Sequence, residues 1–257
     1  EYDGSSWTAG GALSTARYDL AGAGTQNAGL TFGGSCDYGG GVYACTEEYN
    51  GSSWTAGGAL ITARAYLAGA GTQNATLASG GVTNTQTNCT EEYDGTSWST
   101  ANSMNVARNN IAGIGTQNEA LAVGGFLGSV NPTGCTEEYN GTSWSSGGDM
   151  AVGRDSLAGA GTQDAGLAAG GYAFFAPGFQ SCTEEYDGSS WTAGGALSTA
   201  RQDLVLTGTQ NAGLAFGGRT FSPVVSCTEE YDGTSWSAGG SLIAPKRESA
   251  GAGTQDA

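Results

Sequence analysis

A ten-residue stretch, Cys227-Thr228-Glu229-Glu230-Tyr231-Asp232-Gly233-Thr234-Ser235-Trp236, recurs in near-copy along the whole chain and constrains the fold more than any single residue. Its core, Tyr-Asp/Asn-Gly-Ser/Thr-Ser-Trp, places tyrosines at Tyr2, Tyr49, Tyr93, Tyr139, Tyr186 and Tyr231, at successive steps of 47, 44, 46, 47 and 45 residues. A period in this range denotes an array of one supersecondary unit whose copies bury their apolar faces on each other. The 257 residues therefore read as one domain, 1–257.

The second repeat shows the unit. Leu67-Ala68-Gly69-Ala70-Gly71 and Ala75-Thr76-Leu77-Ala78-Ser79 flank the polar Thr72-Gln73-Asn74 and end on Gly80-Gly81, which reads as a hairpin of small residues. After residues 82–88 come Cys89-Thr90-Glu91-Glu92-Tyr93, then Asp94-Gly95, then Thr96-Ser97-Trp98-Ser99. Asp-Gly between two strand-like runs predicts a second tight hairpin, because both residues accept positive φ. Each repeat is thus expected to form four antiparallel strands, a to d. These Gly-, Thr- and Ser-rich runs lack both an apolar stripe of helical period and the length a helix needs. Four short strands per repeat predict a propeller blade; β-helices use shorter repeats, and sandwiches do not repeat their sequence. Strand a, nearly all Ala, Gly and Leu, suits the crowded axis, and the aromatics of c and d suit the wider outer wedge.

Composition bounds the partners. With 47 Gly but only 4 Pro, placed at fixed points of each repeat, the glycines are architectural and not linker-like. A formal charge of -16 with no His leaves no basic surface to displace counterions from phosphates, so no nucleic-acid partner is expected. Anionic membrane surfaces are disfavoured in the same way, and no apolar run reaches spanning length, so no membrane insertion is expected. An acidic, Lys-poor surface suits a saline exterior. Opening at Glu1-Tyr2-Asp3, inside a repeat and without a signal peptide, the chain reads as a mature or excised piece. An extracellular or virion-associated location is expected.

Strand b closes on Gly33-Gly34, Gly80-Gly81, Gly124-Gly125, Gly170-Gly171 and Gly217-Gly218. The Tyr of strand c and then Trp7, Trp54, Trp98, Trp144, Trp191 and Trp236 of strand d follow, and an Arg precedes the next inner strand. This order resembles the kelch repeat over the whole chain. Two features depart from it: Ala and Gly replace the large aliphatics usual in strands a and b, and a Gly-Thr-Gln turn recurs in every copy. Repeats this uniform are also similar to kelch-type proteins of marine bacteria and their phages. The resemblance implies a propeller, and its strands can be counted. Strands a, c and d occur six times and strand b five times, the chain starting on c and stopping after a. We therefore expect an all-β, six-bladed ring of four-stranded antiparallel blades, closed by N-terminal strands c and d with C-terminal strand a, one strand b missing.

Candidate sites divide into repeated and unlike residues. Cys45, Cys89, Cys135, Cys182 and Cys227 begin strand c in successive blades, too far apart for the ~7 Å Cα limit of a disulfide, and read as small packing residues. Cys36 and Cys45 bracket one loop and can either bridge or stay free. Without His or a Cys-x-x-Cys pair, no metal or other cofactor is expected. Arg17, Arg64, Arg108, Arg154, Arg201 and Arg247 precede strand a, and a Glu-Glu pair marks strand c. Strand alternation sends the two Glu to opposite faces, so one can meet a neighbouring blade's Arg in a partly buried ion pair. The sharper alternative is a ring of arginines that captures an anion at the channel mouth. The Gly-Thr-Gln turns, with Gln26, Gln73, Gln117, Gln163, Gln210 and Gln255, are expected on the opposite face, capping their own hairpins. Asn50-Gly51-Ser52 and Asn140-Gly141-Thr142 match a glycosylation acceptor, but turn geometry explains them.

Differences among the repeats concentrate in the b-to-c loops, which share one face with the d-to-a connections. That face bears Tyr38, Tyr43, Phe126, Tyr172, Phe174, Phe175, Phe179, Arg219 and Phe221 as candidate ligand-binding residues, while the repeated Arg and Trp residues are read as structural. Aromatics on polar loops point to a binding surface, unless they fold back over the blade edges. Kelch-like propellers include copper oxidases and sugar isomerases, but this chain has no His for copper, and its acids recur symmetrically instead of converging. The leading expectation is a non-catalytic module, displayed on a virion or cell surface, that recognises a glycan or protein. A self-assembling structural subunit or spacer is the runner-up, and a sugar-processing enzyme the third reading.

Overall fold

The computed structural model describes residues 1–36, 41–128, 132–174 and 178–256. Among them all regular structure is β, organised as five four-stranded antiparallel sheets in the order a-b-c-d, with one extra two-stranded hairpin. Blade 1 comprises Ala21–Thr25, Ala28–Phe32, Thr46–Tyr49 and Trp54–Ala56. Blades 2 to 5 repeat it, with inner strands Ala68–Thr72, Ala112–Gly115, Ala158–Thr162 and Val205–Thr209 packed side by side around a central channel. The molecule is a β-propeller.

Local rules explain each sheet. Thr25 pairs with Ala28, so Gln26 and Asn27 form a two-residue turn between a and b. The glycine before each such turn bends strand a: Gly71 has a φ of 122°, and a Cβ there would overlap the Ala75 carbonyl. The c-to-d hairpin differs from expectation. Tyr49 pairs with Trp54, leaving a four-residue loop in which only the glycine, Gly51, takes positive φ. The acid or amide does a different job: Asp94 Oδ1 accepts the amides of Thr96 and Ser97 at 2.9 and 2.8 Å, an Asx turn replacing a two-residue turn.

The core is divided among the blade junctions. Four apolar clusters fill the four contacts between consecutive blades, each joining the small strand-a residues and the strand-b Leu to the next blade's Tyr and Trp. The tryptophans bridge: Trp98 of blade 2 packs on Phe32 of blade 1 and donates to Thr46 Oγ1 at 3.0 Å. The glutamines bridge as well. Gln73 donates to the Gly29 and Tyr49 carbonyls of the preceding blade at 3.0 and 2.7 Å, instead of capping its own hairpin.

Among the described residues complete blades number five, not the expected six. The wedge between blades 5 and 1 holds both chain ends: Tyr2 and Trp7 form a single bridge, and the segment around Ala250 lies where an inner strand would run. With no strand between them, neither has the ladder partner needed to make a sheet. The wedge is nevertheless tied in on both sides. Tyr2 donates to Glu230 and Tyr49 donates to Glu1, each at 2.5 Å, completing a circle with Tyr93–Glu48, Tyr139–Glu92, Tyr186–Glu138 and Tyr231–Glu185. A second circle lies at the axis. The amides of Tyr66, Asn110, Ser156, Asp203, Glu248 and Asp19 donate, in turn, to the carbonyls of Asp19, Tyr66, Asn110, Ser156, Asp203 and Glu248, at 2.9 to 3.2 Å.

Candidate functional site

All six residues of the axial circle have φ between 53° and 56°. That conformation costs a residue with a Cβ about 1–2 kcal/mol, and the backbone bonds from both neighbouring sectors hold it. Each of these residues stands two places after the position that carries Arg in blades 1 to 5, where otherwise uniform repeats carry Asp19, Tyr66, Asn110, Ser156, Asp203 and Glu248. The residue one place earlier bridges to the first residue after Gly-Gly, as in Asn109 with Phe126, Asp155 with Tyr172 and Gln202 with Arg219. These bridges bring the d-to-a connections and the unlike b-to-c loops together at one mouth of the channel.

The mouth is a cavity of about 730 Å³ lined by Tyr66, Val82, Gln86, Asn109, Asn110, Phe126, Asp155, Ser156, Tyr172, Phe179, Gln202, Asp203, Arg219 and Glu248. Beneath it the six circle residues narrow the channel to a collar, which opens below onto the strand-a bore. Tyr172–Ala173 pairs with Gly178–Phe179 in the extra hairpin, setting the Tyr172 and Phe179 rings edge to face at 5.9 Å. Arg219 Nε lies 2.9 Å from Asp203 Oδ2, which also accepts from Gln202 at 3.1 Å. Asn109 Oδ1 is buried without a hydrogen-bond partner.

Three acids here are perturbed. Burial, with the charges of Glu248 and Asp203, lifts Asp19 to about 7 against an opposing hydrogen bond from Tyr66. Burial also raises Asp155 and Glu248, with Asp203 adding to both, and holds the Tyr66 hydroxyl protonated beside Asp19. The expectation that acids only recur symmetrically therefore fails at the mouth, where four unlike sectors each supply one. Sequence reasoning missed these residues although a signal existed: they vary at a fixed offset within nearly invariant surroundings.

Of the residues expected to bind, Phe126, Tyr172, Phe179 and Arg219 meet in this cavity. Tyr43 does not line it and is tied by its backbone to Gly34 and Arg64. Phe174 and Phe221 are exposed outside it, Phe221 touching Phe179 edge-on at 6.4 Å. Tyr38 and Phe175 lie outside the described residues.

The repeated arginines are elsewhere. Arg17, Arg64, Arg108, Arg154 and Arg201 have fully buried side chains paired with Glu47, Glu91, Glu137, Glu184 and Glu229 of the blade each one leads into, not a neighbour's. No anion in the channel can touch them. Arg247 is not the sixth member: the Lys246 carbonyl accepts from Gly218, as the Arg201 carbonyl does from Gly171, and Arg247 lies beside Glu248. All six cysteines are free, so Cys36 and Cys45 form no bridge.

No protein-family model matches the chain, and no curated protein matches it. Among solved structures, one titled "Structure of YjhT" superposes with a TM-score of 0.74 at 16% identity, over 91% of this chain and 87% of that one. At this identity the likeness extends to the fold, and the chain is similar to that protein as one β-propeller is to another.

Proposed function

We propose that this chain is a non-catalytic recognition propeller of the kelch type, displayed outside a cell or on a virion, whose channel mouth binds a neutral or cationic glycan. The observation that carries this reading is the cavity of about 730 Å³ in which Phe126, Tyr172 and Phe179 face amides and carboxylates supplied by different blades. A sugar offers an apolar C–H face to aromatic rings and paired hydroxyls to amides and carboxylates, and such a mixed lining serves both. Buried Asn109 Oδ1, without a partner, is an acceptor awaiting a donor.

A glycan array probed with the chain, and with a variant carrying a Gly-Ser loop in place of residues 172–181, tests it. Binding that the replacement and Arg219→Ala abolish, at unchanged melting temperature, is the expected result. Binding indifferent to both, or to a protein partner alone, refutes the glycan assignment. Concentration-dependent self-association without glycan binding favours an assembling spacer. Asp19, titrating near neutrality at the collar, favours a second reading, sugar-processing catalysis. NMR of a bound sugar that stays unchanged on incubation discards that one.

A further inference from the structure

The wedge between blades 5 and 1 contains a cleft of about 280 Å³ where the middle of a sheet would lie. In each complete blade strand b is hydrogen-bonded to a on one side and c on the other. In the wedge, Ala250, Gly251 and Ala252 line one side of the cleft and Tyr2 and Trp7 the other, between walls that include Leu30 of blade 1 and Phe216 of blade 5. Among the described residues, Ala250, Gly251 and Ala252 make no backbone hydrogen bond. An unpaired strand edge above an apolar floor is the arrangement that recruits an added strand.

Two further positions specify what would fit. In each of blades 2 to 5 and at Gln255, the turn glutamine donates to two carbonyls of the preceding sector, one on strand b and one on the Tyr of strand c. Gln26 lines the cleft and, among the described residues, makes no such bond. The second position is Gly29. A strand-b leucine seats on the equivalent residue of the next blade, Leu121 on Gly166 and Leu167 on Gly213, whereas the space at Gly29 meets Thr25, Tyr49 and Trp54 and no leucine.

We propose that this cleft is an acceptor site for one extended strand of the type Ala-Gly-Leu-x-x-Gly-Gly. The strand pairs with Ala250–Ala252, its leucine sits on Gly29, and a carbonyl next to that leucine accepts from Gln26. The register is that of every existing blade junction, so the occupant is specified by the chain's own geometry.

The probe is a blocked synthetic peptide with the sequence of residues 212–218, Ala-Gly-Leu-Ala-Phe-Gly-Gly, titrated into the chain and followed by thermal shift and backbone NMR. Saturable one-to-one stabilisation is expected, with resonance changes at Gly29 and Ala250–Ala252. Replacing the peptide's leucine by aspartate, or Gln26→Ala in the chain, should weaken binding about tenfold or more. Gly29→Leu fills the seat from within and should abolish it; if that variant fails to fold, the peptide and Gln26→Ala arms still decide. No saturable shift, equal binding of the aspartate peptide, or resonance changes at the channel mouth instead of the cleft would overturn the proposal. So would self-association that protects the same resonances, which would assign the cleft to a second copy.

Discussion

Arg108 reaches no solvent, and its guanidinium donates to the carbonyls of Ala122, Gly124 and Cys135 as well as to Glu137. Arg108→Ala strands a carboxylate inside the blade at a cost of about 3–5 kcal/mol, which calorimetry should record as a fall in melting temperature on the order of ten degrees. Unchanged melting with lost ligand binding would return the arginines to the recognition role. Asp19 behaves oppositely. Its carboxyl rises from 3.8 to about 7, so the stability tied to its proton is complete below 3.8 and is lost as pH climbs through about 7. Asp19→Asn removes the titration and suits a left-handed backbone. The variant should melt a few degrees higher than the parent above that range and equally in acid; parallel pH profiles for the two proteins refute this. Repetition made the Arg–Glu pairing legible, but not its depth or its partner. The slip from Lys246 to Arg247 arose because only the axial hydrogen bonds show which residue holds the repeated place.

Within one blade, small runs and turn residues were enough to place four strands, and they failed at the c-to-d hairpin. Asp-Gly there signals a turn, but whether both residues or only the glycine take positive φ depends on where Tyr and Trp pair, which no local pattern records. The Asx geometry makes a specific claim. Asn50 and Asn140 already do in two blades what Asp232 does in another. Asp232→Asn keeps the acceptor and should therefore lower melting less near neutrality than Asp232→Ala does. The hydrogen bonds from Thr234 and Ser235 hold Asp232 down to about 2, so the part of its contribution that ionisation adds is present above 3.8 and disappears as pH falls toward about 2. Acid titration should then narrow the difference between parent and Asp232→Ala; a constant difference across that range refutes it. The glutamines illustrate the same limit, since a turn sequence cannot show which neighbour lies within an amide's reach.

At the scale of the ring, the repeat period disclosed a propeller but overcounted its complete blades, because a strand-like sequence becomes a strand only beside a partner. The Tyr–Glu circle supplies the large-scale test. Burial and the glutamate hydrogen bond lift Tyr93, Tyr186 and Tyr231 to about 12. Stability linked to these protons is complete below 10.0, the ordinary value, and is lost as pH rises through about 12. Urea midpoints should fall steeply over that interval, and less so after Tyr93→Phe; a flat profile contradicts the circle's contribution. The other circle, six residues whose N–H and C=O groups bond head to tail about the axis, has an electrostatic consequence. Dipoles laid evenly and tangentially around a closed loop cancel in its plane, so this circle adds no sideways field at the mouth. The circle leaves the sideways polarity that a ligand meets there to other groups, among them three acids in the cavity lining, Asp155, Asp203 and Glu248, with Asp19 at the collar, against one guanidinium in that lining, Arg219. Exchanging one of them resets the mouth's polarity without touching a single bond of the ring.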